Sequence, residues 1–280
     1  MRVLRAAAMG MCFGVLDALE RTREVVAPEY VTVLGELVHN EQIVSELDAR
    51  GFHGQPETDR ERLPGTAQVL VTAHGISSAR RASLVSSGKT LIDTTCPLVR
   101  LAHDAAVELA GEGRHVVVIG KRGHVEVQGI VEDLASYSVV ERPAEVECHD
   151  CGRLGVICQT TTRPELAEEV LDELERRNPD ADIRTIDTIC QPTRERQVAV
   201  DDLVDRVDVL VVVGGKSSNN SKQLVARAEA RGCPAHLVQT AADVKDEWFD
   251  ANEIVGLTAG TSTPPEAIDA VHEALTRIET

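Results

Sequence analysis

The residues best able to do chemistry are three cysteines in related surroundings. Leu91-Ile-Asp-Thr-Thr-Cys96-Pro-Leu98 is nearly repeated as Thr185-Ile-Asp-Thr-Ile-Cys190-Gln-Pro192, and Cys12 lies upstream in Gly10-Met-Cys12-Phe-Gly14. In both repeats an apolar or β-branched run ends in Asp-Thr, and amphipathic helical sequence follows over 98–109 and 196–203. That is the pattern of a strand end, a turn and a helix start. A thiolate at such a junction faces unpaired helix N–H groups, which favour its ionised, metal-ligating form. The competing reading is a set of buried structural cysteines, since free cysteine is among the most buried residue types. The repeat of context favours ligation. Spacing alone is a weak metal signal, because zinc fingers and ferredoxins use short spacings. Strand-end cysteines from three similar portions of chain, brought to a common point, supply what spacing lacks. A 4Fe-4S cluster held by only three thiolates leaves one iron open to a substrate oxygen, much as a catalytic zinc keeps an open position.

Other chemistry-bearing residues lie in loops of the same kind. His39, His74 and His124 each follow a strand, and three histidines in equivalent loops point to an anion or a metal. A lone histidine of this sort is more often structural. Hydroxyl and amide loops at 160–162, 217–221 and 258–262 read either as helix N-caps or as a phosphate cradle built with helix N-termini. Glu126, two residues after His124, is the candidate for proton delivery, because a carboxyl enclosed near an anion or cluster stays protonated more readily. A solvated surface glutamate is the alternative. A rival metal or redox site is Cys148-His-Asp-Cys151, a C-x-x-C pair with no matching second pair at a usual spacing.

The elements that must position these residues alternate along the chain. Strands are predicted near 3–8, 30–34, 68–72, 90–92, 115–119, 155–157, 207–213 and 253–257, each running into a loop. Most of those loops open a helix, as at 15–26 and 77–86. Open α/β sheets bind ligands at that carboxyl edge. No low-complexity tract or long linker interrupts the pattern. The chain reads as three similar α/β domains facing one crevice, over 13–95, 96–187 and 188–280, joined by the N-terminal strand 1–12.

Composition agrees. A chain of 280 residues has room for about two domains, or three small ones. With 42% hydrophobic residues but only one Trp, two Tyr and three Phe, its cores must be aliphatic, which suits buried parallel strands. A net charge of −17 argues against nucleic-acid binding, and an anionic substrate would need a local pocket of His, hydroxyl and backbone N–H groups. No apolar stretch has signal-peptide or membrane-span length, so a cytoplasmic protein without membrane contact is expected. Seven cysteines then read as thiols or ligands rather than as a disulfide framework.

An ordered set of motifs carries a resemblance that spans almost the whole chain. Gly10-Met-Cys12-Phe-Gly14-Val15, Val38-His39-Asn40, Ala73-His74-Gly75, Thr95-Cys96-Pro97-Leu98-Val99, Gly123-His124-Val-Glu126-Val127, Gln159-Thr160-Thr161, Ile189-Cys190, Ser218-Asn-Asn220 and Thr258-Ala-Gly-Thr-Ser262 resemble those of the IspH (LytB) family. These are the 4-hydroxy-3-methylbut-2-enyl diphosphate reductases. The resemblance implies a trefoil-like arrangement of three α/β domains around a central 4Fe-4S iron–sulfur cluster ligated by Cys12, Cys96 and Cys190. It implies that the allylic diphosphate loses its hydroxyl as water, with two electrons and protons, to give isopentenyl and dimethylallyl diphosphate. By motif match His39, His74, His124, Ser218, Asn220 and Ser262 hold the diphosphate, with Asn219 beside them. The same match implies that Glu126 relays protons and that Thr160 hydrogen-bonds near the substrate hydroxyl. The resemblance further implies a low-potential electron donor of ferredoxin or flavodoxin type.

Three departures from the family pattern stand out. Met11 and Phe13 flank the first cysteine, Asn219 stands where a Ser is usual, and Pro192 replaces a common Ala. Two other functions remain compatible with the residues. One is an iron–sulfur hydro-lyase, which would need no external reductant. The other is a non-catalytic paralogue that binds a prenyl diphosphate or senses iron or oxygen.

Overall fold

The computed structural model describes residues 2–149, 152–250 and 253–278. Among these, twelve strands form three four-stranded sheets in which every pair is parallel. The first sheet contains β2 (Val31–Leu34), β3 (His53–Gln55), β4 (Gln68–Val71) and β5 (Thr90–Asp93), in the order β3-β2-β4-β5. The second contains β6 (His115–Ile119), β7 (Tyr137–Val140), β8 (Arg153–Cys158) and β9 (Asp182–Thr185), in the order β7-β6-β8-β9. The third repeats that order as β11 (Ala235–Val238), β10 (Val209–Val213), β12 (Ile254–Ala259) and β1 (Arg2–Arg5). Its fourth place is thus filled by the N-terminal strand. In each sheet the order reverses between the two central strands, and loops leaving such a switch point in opposite directions open a crevice at the carboxyl ends.

The chain separates into two compact units. One comprises Met1–Leu16, His39–Gln42 and Gln191–Thr280, and the other Asp17–Val38 and Ile43–Cys190. In the first unit β10 is buried on both faces. Val209, Val211 and Val213 pack with Ile268, Val271 and Leu275 of α9 (Pro265–Arg277). Leu210 and Val212 pack with Val200 and Leu203 of α7 (Gln191–Val204) and Leu224 of α8 (Asn219–Ala230). A strand covered on both sides needs aliphatic side chains at every position, hence the unbroken Val-Leu-Val-Val-Val run. In the second unit Val116 and Val118 of β6 face α4 (Pro97–Gly111) and α5 (Val125–Val131), while Val117 and Ile119 face α6 (Pro164–Arg177).

Several element boundaries differ from the sequence expectation. β1 ends at Arg5 rather than at residue 8. Tyr30 belongs to a 3-10 turn begun by Pro28, so β2 starts at Val31. The edge strands β3, β7 and β11 had no aliphatic run to announce them. No helix among the described residues is long and apolar enough to cross a membrane.

Candidate active site

The three cysteine turns are built by one hydrogen-bond rule. Cys96 donates its N–H to Ala73 O at 3.0 Å, Cys190 to Thr160 O at 3.0 Å and Cys12 to Thr261 O at 3.1 Å. Each acceptor lies two residues beyond the end of a central strand, β4, β8 or β12. Each cysteine also immediately precedes a helix: α1 (Phe13–Arg23), α4 or α7. The repeated Ile-Asp-Thr-X-Cys motif explains the turn. Asp93 Oδ1 accepts the N–H of Thr95 at 3.0 Å, and Asp187 Oδ1 accepts that of Ile189 at 3.2 Å. Both are side-chain turns of the Asx type. The next residue ties the turn to the sheet: Thr94 Oγ1 donates to Val71 O at 2.6 Å, and Thr188 Oγ1 to Cys158 O at 2.5 Å. Burial pushes the Asp93 carboxyl up, but hydrogen bonds from Thr95 and the Arg81 and Arg100 guanidinium groups bring it below its ordinary range, keeping it an acceptor.

Cys12 lacks that motif and is braced otherwise. In the first unit the buried Arg196 of α7 donates from Nε and Nη2 to Gly10 O at 3.0 and 2.6 Å, and from Nη1 to Pro192 O at 2.9 Å. Cys12, Cys96 and Cys190 are half-buried thiols outside any disulfide. Among the described residues no three His, Cys, Asp or Glu side chains stand together as a ready metal site. The fit to an iron–sulfur cluster therefore lies in the donor chemistry, thiol sulfur at three matched strand-to-helix turns. Of the rival pair, Cys148 is exposed, and Cys151 lies outside the described residues.

In the second unit His74, His124, Glu126 and Thr160 come together. His124 caps α5, its Nδ1 accepting the Glu126 N–H at 3.2 Å, so a neutral ring carries its proton on Nε2. The His74 and His124 rings meet edge to face with centroids 5.6 Å apart. Glu126 is only 2% exposed. Its Oε1 accepts the Thr160 N–H at 2.7 Å and its Oε2 the Thr160 hydroxyl at 3.0 Å. Thr160 also presents its carbonyl to Cys190, so one residue orients the acid and the cysteine turn together. Thr162 in the same loop is structural, its hydroxyl donating to Ile119 O at 3.0 Å.

In the first unit His39, Ser218 and Ser262 lie in three strand-end loops, and Asn219 and Asn220 open the helix that Ser218 caps. Ser218 caps α8, its Oγ accepting the Ser221 N–H at 3.3 Å and the Ser221 hydroxyl at 3.1 Å. Asn219 is the half-buried first residue of that helix. Asn220 is buried, and both polar atoms of its amide lack a hydrogen-bond partner. A buried amide in that state is costly unless a ligand completes it. Ser262 Oγ donates to His39 O at 3.3 Å, and Asn40 Nδ2 to Ser262 O at 3.0 Å.

The sequence reading did not single out the glycines and the arginine that hold these loops. A Cβ on Gly214 or on Gly260 would stand 2.1 Å from Ser221 Oγ, and one on Gly215 would stand 2.6 Å from His39 O. The Gly-Gly pair directly after a buried strand was the available signal. Arg196 had none, since its partner is a distant backbone carbonyl.

The chain is similar to known reductases over nearly its whole length. A 4-hydroxy-3-methylbut-2-enyl diphosphate reductase of Vibrio parahaemolyticus is 36% identical, across 98% of this chain and 90% of its own. That of Methylibium petroleiphilum is 38% identical, across 98% and 84%. Among solved structures, the E-1-hydroxy-2-methyl-but-2-enyl-4-diphosphate reductase from Plasmodium falciparum superposes with a TM-score of 0.89 at 28% identity, covering 99% of this chain and 88% of that one. An (E)-4-hydroxy-3-methyl-but-2-enyl diphosphate reductase, described as the terminal enzyme of the non-mevalonate pathway, gives 0.67 at 32% identity, covering 99% and 100%. Matched by the LytB protein model from residue 3 to residue 276, the chain belongs to the LytB family.

Proposed function

We propose that the chain is a 4-hydroxy-3-methylbut-2-enyl diphosphate reductase of the non-mevalonate pathway. It removes the allylic hydroxyl as water and yields isopentenyl and dimethylallyl diphosphate. The observation that carries this reading is the buried Glu126 carboxyl, gripped through both oxygens by Thr160 while Thr160 also holds the Cys190 turn. Cys12, Cys96 and Cys190 would hold a 4Fe-4S cluster, which when bound would supply electron transfer and Lewis-acid chemistry.

The chain's own residues do the rest. His39, His74, His124, Ser218, Asn219, Asn220 and Ser262 bind the diphosphate, and the unpartnered Asn220 amide supports that assignment. Charge-assisted hydrogen bonds and helix N-termini offset the repulsion of an anion by a chain of net charge −17. Glu126 gives its proton to the departing hydroxyl oxygen, and Thr160 holds that carboxyl in place. A low-potential donor of ferredoxin or flavodoxin type provides the electrons.

Anaerobic assay with the allylic diphosphate and a low-potential reductant tests the reading. Product should form only with reductant. Glu126→Gln should keep its iron and bind substrate within about an order of magnitude of the parent, yet lose roughly 10²–10⁴-fold in turnover. Conversion without reductant would make the protein a hydro-lyase, and tight binding without any turnover would make it a non-catalytic paralogue.

A further inference from the structure

A buried acid that gives up a proton in each turnover needs a route by which it is recharged. Glu126 also lines a cavity of about 310 Å³ in the second unit, shared with His74 and with His103 of α4. A polar cavity of that size has room for several water molecules. Its charged wall groups come from every neighbouring element. Asp93 of β5 is paired with Arg81 of α3 (Ser78–Ser86) at 2.8 Å and with Arg100 of α4 at 3.0 Å, and Asp104 of α4 lies beside them. His103 and His74 are the imidazole groups on that wall.

His103 is held as a relay group is held. Its Nε2 lies 2.8 Å from Asp133 Oδ2, with both side chains largely buried. Asp133 in turn accepts the N–H groups of Ser78 at 2.6 Å and Ala79 at 3.1 Å, at the start of α3. A carboxylate fixed at a helix N-terminus fixes the ring it pairs with, as an orienting acid does in a catalytic dyad.

We propose that His103 reloads Glu126: the imidazolium, oriented by Asp133, passes a proton through water in the cavity to the Glu126 carboxylate and then takes another from solvent. No electrons move, and the net change is one solvent proton delivered to the acid. The assignment rests on Glu126 being the proton donor of the proposed reductase.

The test compares parent, Glu126→Gln, His103→Ala and His103→Gln enzymes at saturating substrate and reductant. Both His103 variants should retain iron content and KM but lose about tenfold in kcat. They should also lose the near-neutral limb of the parent's kcat–pH profile and show a larger solvent deuterium isotope effect. Added imidazole should restore His103→Ala and leave the parent unchanged. Parental kcat and pH profile in both variants, or a loss that imidazole does not repair, overturns the relay while leaving the reductase reading intact. A parent without turnover, or a Glu126→Gln enzyme with full turnover, overturns both.

Discussion

His124 combines an observed structural role with a proposed chemical one. It caps α5 through Nδ1 and meets His74 edge to face. Replacing it by Ala should therefore cost two separable things. Diphosphate affinity should fall about ten- to a hundredfold, since hydrogen bonds to charged groups are worth roughly 1.5–3 kcal/mol. Stability should fall by about 1 kcal/mol from the lost cap. His124→Asn restores a cap acceptor, so thermal melting should return toward the parent while calorimetric affinity for the diphosphate stays low. Recovery of affinity together with stability in His124→Asn would mean that the ring acts only as a cap. Thr160→Val gives the complementary case. The backbone bond to Glu126 Oε1 survives and the hydroxyl bond to Oε2 is lost, so kcat should drop about tenfold or more with KM little changed.

The turn that precedes each of two cysteines is an element in its own right. Asp and Thr shape it and the cysteine N–H closes it onto the neighbouring strand's loop. Thr94→Val or Thr188→Val should each lower stability by about 1 kcal/mol and speed iron loss to a chelator, followed by visible absorption. Unaltered chelation kinetics in both would show that the cysteines do not depend on the hydroxyl tethers. Helix α3 offers a pH-dependent case. Burial pushes the Asp133 carboxyl up, but the Ser78 and Ala79 hydrogen bonds and nearby His103 leave it below its ordinary value. A carboxylate lowered in the folded state contributes stability that is complete above its unfolded pKa, near about 3.9, and is lost as pH falls through the folded value. Urea unfolding of the parent should therefore show a falling acid limb below about pH 4, and Asp133→Asn should flatten it.

At the scale of the whole molecule, three sheets of one strand order should differ in how tightly their parts are held. Amides of the central strands β6, β8, β10 and β12, buried on both faces, should exchange hydrogen most slowly. Those of β3, a three-residue edge strand with exposed His53 and Gly54, should exchange first in its sheet. Exchange followed by mass spectrometry checks this, and protection of β3 equal to that of β4 would contradict it. β1 is a further case, since it joins the last sheet by pairing Arg2 to Arg5 with Ile254 to Leu257 and leads directly to Cys12.

Much of this was legible in the sequence because the causes are local. Aliphatic runs such as 115–119 and 209–213 announced central strands, since burial on both faces demands apolar residues throughout. Ile-Asp-Thr-X-Cys announced its turn, because an Asp side chain bonds backbone two residues on. The edge strands His53–Gln55, Tyr137–Val140 and Ala235–Val238 stayed hidden, since a partly solvated edge accepts mixed residues. Tertiary structure alone decided the rest. Thr160 finds Glu126 and Cys190, Arg196 finds the Gly10 carbonyl, and Ser221 fills the space left by Gly214 and Gly260. Cys12, with no Asp-Thr before it, still makes the same N–H bond as its two counterparts, to Thr261 beyond β12. Most of these partners lie far apart in the chain, and within each unit they meet only because the strand order brings distant segments to the carboxyl ends of the same sheet, which no local pattern of residues specifies.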